Sequence, residues 1–418
     1  MMKWLGRLVL VLVLAVGGFA AYVNFRPWPH FTPEKVELKV QSTPEKVARG
    51  KKWAQLLCAE CHMNRQTGRL SGADMQASEF GDIWSLNITQ HPTKGIGAWS
   101  DGEIMFLLRT GIARDGRYTP PWMAKLPHMA DDDVESIIAF LRSDDPMVQA
   151  TDVQNHVNTP SFLSKFLGTV AFGPLPYPKA PVPLPNTSDQ VAWGKYLLFN
   201  TDCWTCHSED FKKLNSLHPD QTPGYLGGGN PMPDGSGNIV TTSNLTPDDE
   251  HGIGKWTEAQ FVKALRYGIR PDNTAVRLPM SAYTVFTEDE AKAIYAYLRT
   301  VPKIARPNAP RVTTPPPANA DSGKKRYYQY GCNACHGEKG TGPLCDLTHN
   351  KENYPTEEAL LSFIREPWKT HPETKMPSWG ELIPDDELKT IAEYVRTLSV
   401  EPPAKPAEPP PAEAPKQE

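Results

Sequence analysis

Six of the seven cysteines fall into three copies of one five-residue pattern: Cys58-Ala-Glu-Cys61-His62, Cys203-Trp-Thr-Cys206-His207 and Cys332-Asn-Ala-Cys335-His336. Thiols three positions apart on a helix lie one turn from each other and face the same side. They can form thioethers with the two vinyl groups of one haem, and the adjacent histidine is then held beneath the iron as its proximal ligand. An isolated C-x-x-C also reads as half of a zinc site or as a redox disulfide. Three copies, each followed directly by histidine, favour three covalently attached haem c groups. Cys58, Cys61, Cys203, Cys206, Cys332 and Cys335 would attach them, with His62, His207 and His336 as iron ligands. Cys345 stands apart in a loop with Gly340, Gly342 and Pro343, and is expected to be an unpaired, partly buried thiol rather than a redox group.

A proximal histidine leaves the iron one ligand short, and internal repetition supplies candidates for the other side. Asn87-Ile88-Thr89 recurs as Asn244-Leu245-Thr246, Gly95-Ile96-Gly97-Ala98-Trp99 as Gly252-Ile253-Gly254-Lys255-Trp256, and Ala139-Phe140-Leu141-Arg142 as Ala296-Tyr297-Leu298-Arg299, all at an offset of 157 positions. These are two copies of one domain. In that register Met123 falls on Met280, whereas Met105, His128 and Met129 meet Val262, Val285 and Phe286. A thioether suits low-spin haem iron, and Met/His ligation raises the reduction potential as electron-transfer cytochromes require. Met123 and Met280 are therefore the candidate distal ligands, with Met129 and His128 as competitors at the first site. The third unit departs from the offset but ends alike. Lys375-Met376-Pro377 precedes an acidic helix start at Pro384-Asp385-Asp386-Glu387, which makes Met376 the candidate there and His371 a weaker one.

A chain of 418 residues accommodates two to four domains, and three signatures imply three small ones. Segment 45–150 forms the first, 188–302 the second and 320–400 the third. Between them lie connectors at 151–187 and 303–319, and a Pro-rich tail at 401–418 reads as disordered. Each signature follows a helix-like segment bearing one glycine: Gly50 with Trp53, Gly194 with Tyr196, Gly323 with Tyr327. Each closing helix has apolar spacing near the helical period and carries an aromatic, Phe140, Tyr297 or Tyr394. A glycine on one helix facing an aromatic on the other would permit close crossing. A net charge of −4 without a long basic run excludes nucleic acid as a partner.

The start, segment 1–30, carries Lys3 and Arg7 and then an apolar run from Leu8 to Val23. Positive charge ahead of an apolar segment directs the rest of a chain outward across the membrane. Gly18-Phe19-Ala20 offers a small-residue cleavage site, while Trp4 and Leu5 lengthen the run toward a full span; a retained single anchor is the preferred reading. Either way the haem units are expected on the periplasmic side of a bacterial cytoplasmic membrane.

These residues resemble class I c-type cytochromes over 45–150, 188–302 and 320–400. The resemblance implies a mainly α fold, three tandem helical haem domains in which an N-terminal and a C-terminal helix cross. The Asn-Ile/Leu-Thr and Gly-Ile-Gly-x-Trp motifs are more narrowly similar to the multihaem cytochrome subunit of membrane-bound alcohol, aldehyde and gluconate dehydrogenases. That likeness implies a subunit that takes electrons from a separate catalytic subunit and delivers them to quinone. Two departures qualify it. Alanine follows Met123 where the family more often has proline, and the N-terminal anchor and Pro-rich tail are unlike the usual subunit, so a respiratory or photosynthetic complex is an alternative partner. The expectation is an electron relay and not an enzyme. The competing readings are a peroxidase-like haem enzyme with one open axial site and a subunit whose haems are mainly scaffolding. No Ser-His-Asp set, phosphate loop or dinucleotide fingerprint stands out.

Overall fold

The structure, a computed structural model, describes residues 2–75, 78–120, 123–233, 239–276, 278–309, 315–342, 346–371 and 374–399. Cys345 and the 401–418 tail lie outside the described residues. Helix α1 (Met2–Phe25) presents apolar side chains outward over most of its length, and its Trp4–Phe25 stretch is the one helix among the described residues long and apolar enough to cross a membrane.

In the first unit α2 (Pro44–Leu57) starts on Thr43, whose hydroxyl accepts from the Lys46 amide, and on Pro44, which costs a helix nothing in its first turn. Next, α3 (Asp101–Thr110) begins in a capping box between Ser100 and Glu103 and stops at Gly111, φ 81°. The closing helix α4 (Asp131–Leu141) opens on three aspartates that favour its positive end. A connector helix, α5 (Phe162–Val170), leads to the second unit. There α6 (Gln190–Asn200), α7 (Glu258–Tyr267) and α8 (Glu288–Leu298) repeat the plan. The repeat extends to the caps: Thr257 and Gln260 form the box of α7, and Gly268 ends it at φ 72°. The third unit has α9 (Ser322–Gln329), α10 (Glu357–Arg365) and α11 (Asp385–Thr397). Strands are minor: β1 (Gly81–Asp82) pairs antiparallel with β2 (Thr159–Pro160), and β3 (Pro231–Pro233) with β4 (Ile239–Thr241).

Each unit is closed by a helix crossing built on a glycine. A methyl group at Gly50 would stand 1.8 Å from the Ser136 carbonyl oxygen, and one at Gly194 1.8 Å from that of Ala293, its counterpart in the repeat. At Gly323 the nearest atoms are Tyr394 Cβ at 2.6 Å and the Thr390 oxygen at 2.7 Å. The expected facing aromatic is present at Gly50 (Phe140) and Gly323 (Tyr394). At Gly194 the three nearest atoms belong to the Ala293 and Ile294 backbone, a main-chain approach like that of Gly50 to Ser136.

The first two units share one hydrophobic core, running from Trp53 and Leu56 through Ile137, Phe140 and Leu197 to Phe286 and Leu298. The third has its own, around Tyr327, Leu360, Trp379, Leu388 and Ile391. Between units one and two the fully buried Asp133 carboxylate accepts from Trp53 Nε1 at 2.7 Å, from the Tyr196 hydroxyl and from Arg49, while the Ala130 amide donates to Tyr196 Oη at 3.0 Å. Groups from both copies thus meet on one carboxylate. A buried charge is tolerated only when paired in this way.

Candidate haem centres

The signatures form short helices, Ala59–His62, Cys203–His207 and Cys332–His336, directly after α2, α6 and α9. Burial pushes the first cysteine thiol of each up, Cys58 and Cys332 to about 12 and Cys203 to about 11. The second cysteines rise likewise, Cys61 and Cys335 to about 11 and Cys206 to about 12. Among the described residues no three His, Cys, Asp or Glu side chains group into a metal-holding cluster, so the zinc reading, which needs at least three protein ligands, finds no support.

The candidate proximal histidines His62 and His207 are oriented by main chain. His62 Nδ1 bonds the Leu86 carbonyl at 2.7 Å and His207 Nδ1 that of Ser243 at 2.8 Å; Leu86 and Ser243 are counterparts at the 157 offset. A carbonyl only accepts, so Nδ1 carries the proton and Nε2 keeps its lone pair, the tautomer an iron ligand needs. Burial lowers the pKa of both rings, with the carbonyl bond opposing it in part, and so favours neutral imidazole. The backbone oxygen of each histidine is fixed as well. The His62 carbonyl accepts from the Gly72 amide at 2.9 Å, His207 from Gly228 at 2.7 Å and His336 from Gly342 at 2.8 Å.

The repeated motifs position these carbonyl acceptors. Asn87 Oδ1 accepts from the amide and hydroxyl of Thr89, and its Nδ2 donates to the Thr151 and Val153 carbonyls. Asn244 does the same with Thr246 and with Ile304 and Arg306. The first residues of both connectors are therefore bound into the loop beside the signature histidine rather than acting as free spacers. In the Gly-Ile-Gly-x-Trp turns the Ile96 and Ile253 amides donate to Thr89 and Thr246 at 2.9 Å, and a methyl group at Gly95 would lie 2.2 Å from the Thr89 oxygen. Only glycine permits that approach.

Met123 and Met280 are partly buried against the shared core, and Met376 against the third unit's core. Of the competitors, His128 gives Nε2 to the Ser216 carbonyl at 2.9 Å and packs edge-on against Phe199, while Met129 is fully enclosed. His371 is exposed and stands edge-on to Phe363. Arg109, itself buried, binds the Leu126 and Met129 carbonyls and Asp131, and so holds the segment between Met123 and α4.

Loops carrying the methionines reach neighbouring units. Lys125 is pushed down to about 7 by burial, against the opposing charge of Asp202, the residue before Cys203. Lys375, beside Met376, pairs with Glu60 inside the first signature at 2.8 Å, and its ammonium lies 4.9 Å from the centre of the Tyr283 ring. The Ala282 amide donates to the Lys375 carbonyl at 3.3 Å, and Thr284 Oγ1 to that of Thr374 at 3.1 Å. Residues from all three units thus converge between Glu60, Tyr283 and Lys375.

The donor set fits haem c. Each signature offers two thiols one turn apart and a histidine, and among the described residues Trp204 Nε1, Ser71 Oγ and Ser378 Oγ are buried without a hydrogen-bond partner. The two carboxylates of a haem are acceptors suited to donors of this kind. Sequence reasoning missed the carbonyls of Leu86 and Ser243 and the three glycine amides. The repeat offset could have found the carbonyls by aligning the residue before each Asn-Ile/Leu-Thr motif. The glycines could not have been found, since they follow their histidines at three different spacings.

Comparison with known proteins agrees. The cytochrome c family model matches residues 47–144 and 191–302, and the model described as cytochrome C oxidase, cbb3-type, subunit III matches 318–395. The alcohol dehydrogenase (quinone) cytochrome c subunit of Gluconacetobacter polyoxogenes is 28% identical over 369 residues, covering 81% of this chain and 77% of the relative. The gluconate 2-dehydrogenase cytochrome c subunit of Pantoea cypripedii is 29% identical over 58% of this chain and 56% of its own. The fructose dehydrogenase cytochrome subunit of Gluconobacter japonicus is 34% identical over 34% and 27% respectively. With two matched segments that together span half of its length, the chain belongs to the cytochrome c family.

Proposed function

We propose that this chain is a three-haem electron-transfer subunit that relays electrons from a membrane-associated dehydrogenase to a further acceptor. A respiratory complex is the alternative donor. Cys58 and Cys61, Cys203 and Cys206, and Cys332 and Cys335 attach the haems; His62, His207 and His336 are the proximal ligands and Met123, Met280 and Met376 the distal ones. Bound haem supplies a one-electron couple, and the protein sets its ligation, burial and orientation. His62 and His207 present Nε2 because Nδ1 is committed to a carbonyl, Met123 and Met280 occupy register-matched loops ahead of their closing helices, and Met376 precedes the closing helix of the third unit. The observation that carries the reading is the pair of equivalent bonds, His62 to Leu86 and His207 to Ser243. The names of the relatives supply the dehydrogenase. In this reading α1 anchors the chain, and the haem units lie on the periplasmic side of the cytoplasmic membrane.

Intact mass with haem staining on a denaturing gel tests the number: three haems are expected, and an excess of two overturns it. Met280→Ala should leave covalent attachment intact yet let the reduced second haem bind carbon monoxide. Binding unchanged from the parent refutes that ligand. Robust peroxide turnover by the isolated parent protein would establish the enzyme reading instead.

A further inference from the structure

Helix α5 lies in the connector between the first two units, and the haem sites do not account for its surface. Phe162, Leu163 and Val170 are 47%, 42% and 53% exposed, and Phe166 stacks on Phe162 with centroids 6.3 Å apart. Positions 162, 163, 166 and 170 share one side of a helix, and a nine-residue helix that turns aromatic and aliphatic groups to solvent needs a covering. Its other side is committed. Ser164 Oγ donates to the Phe80 carbonyl at 2.6 Å, the Ser161 amide to the same oxygen at 2.8 Å, and Gly168 lies against the Trp28 ring.

What covers the open side is indicated by what α5 adjoins. Phe166 packs edge-on against Phe19 of α1, 6.2 Å between centroids, and Lys165 Nζ caps the end of α1 by donating to the Asn24 carbonyl at 2.8 Å. Val23 in that last turn is fully buried while Phe25 is 83% exposed. The apolar surface of α5 is thus continuous with the end of the helix proposed to cross the bilayer. The helix carries one lysine and no acidic residue, which suits a lipid headgroup layer.

We propose that α5 lies in the lipid–water interface, with Phe162, Leu163 and Val170 in the acyl boundary, as a second membrane contact that fixes the first haem unit against the bilayer. The fixing runs through bonded elements. β2, immediately before α5, pairs with β1, and the chain continues to Ser85, whose Oγ donates to the Cys61 carbonyl at 2.5 Å, and to Leu86, the partner of His62. The tilt of α5 on the membrane thereby sets the tilt of the first haem site.

This rests on the reading of α1 as an anchor, and the test separates the two. The full chain is placed in nanodiscs of phosphatidylethanolamine and phosphatidylglycerol containing a phospholipid with a photoreactive group high on its acyl chain, and labelled peptides are mapped by mass spectrometry. Label is expected on both α1 and the Phe162–Val170 peptide. The variants Phe162→Glu with Val170→Glu, and the milder Leu163→Ser, should lower labelling of α5 at least fivefold and about twofold, with α1 labelling and haem content unchanged. Label on α1 with none on α5 overturns the proposal and leaves the anchor standing. Label on α5 in a mature chain that lacks α1 upholds the surface contact and overturns the anchor. Cross-linking of α5 to protein in place of lipid overturns the proposal.

Discussion

The first two signature-bearing units and the third are held by different means. Units one and two are copies of one sequence and have merged their cores, with Asp133 gathering donors from both. Unit three keeps a separate core and meets the others through loops: Lys375 with Glu60, Lys263 with Glu381, Pro377 against Gly268, and the Tyr267 and Trp368 rings 5.4 Å apart. Merged cores make two sites stand or fall together. A docked unit can loosen while its own core survives, so the same chain combines a rigid pair with a more independent third member.

The strongest test of that contrast is Asp133→Ala. It strips the partner from the Trp53 and Tyr196 donors, and from a guanidinium that retains some solvent contact. Breaking a buried pair of this kind costs about 3 to 5 kcal/mol, and solvent access at Arg49 places the loss near about 3 kcal/mol. Units one and two should lose protection from hydrogen exchange together while α9, α10 and α11 change little. A response confined to unit one would show that the shared core is not shared energetically.

Next in size are the helix crossings. At Gly194 an added methyl meets a rigid carbonyl at 1.8 Å, whereas at Gly323 the nearest atoms are a tyrosine Cβ at 2.6 Å and a carbonyl oxygen at 2.7 Å. Overpacking costs about 1 to 3 kcal/mol, less the gain of about 1 kcal/mol from replacing glycine within a helix. Gly194→Ala should therefore destabilise by about 2 kcal/mol and Gly323→Ala by under about 1 kcal/mol, measured by denaturant titration of each haem's absorption. Equal losses would mean that the third crossing is as tight as the other two.

What the sequence made legible was whatever repeats or has fixed spacing. The signatures, the 157-residue register, the helix-borne glycines and the acidic helix starts each follow from local chemistry, so Gly50, Gly194 and Gly323 could be placed on their helices from the sequence. The merging of two units around Asp133 was not legible. In the repeat Asp133 aligns with Glu290, which caps α8 and also pairs with Lys52 of the first unit, so both copies of the position reach across the junction, one through a buried cluster and the other through a helix cap and an ion pair. The meeting of Lys375 with Glu60 was hidden for a different reason. Their separation in sequence is large, and lone charges carry no pattern that a periodicity could reveal.

The smallest expected effect concerns that last contact. Burial alone would raise the Glu60 pKa, but the Lys375 ammonium beside it and, more weakly, Arg65 bring the net shift below its ordinary value. A carboxyl whose folded pKa is depressed contributes stability above its unfolded value of about 4.3, and that contribution is lost as pH falls through the folded one. Docking of unit three should thus hold at neutral pH and weaken in acid below about pH 4. The Glu60 carboxylate is about half exposed, so solvent screening limits the pair to under about 1 kcal/mol. Lys375→Gln should produce the acid state at neutral pH: faster exchange at the Ala282 and Tyr283 amides, no change at α2 or α6, and a loss of the pH dependence. Salt near about 1 M should narrow the difference between parent and variant, since the Debye length then falls to about 3 Å. An acid transition that persists undiminished in Lys375→Gln would place the pH-sensitive contact elsewhere, leaving the apolar seam of Pro377 and Trp368 as what holds the third unit.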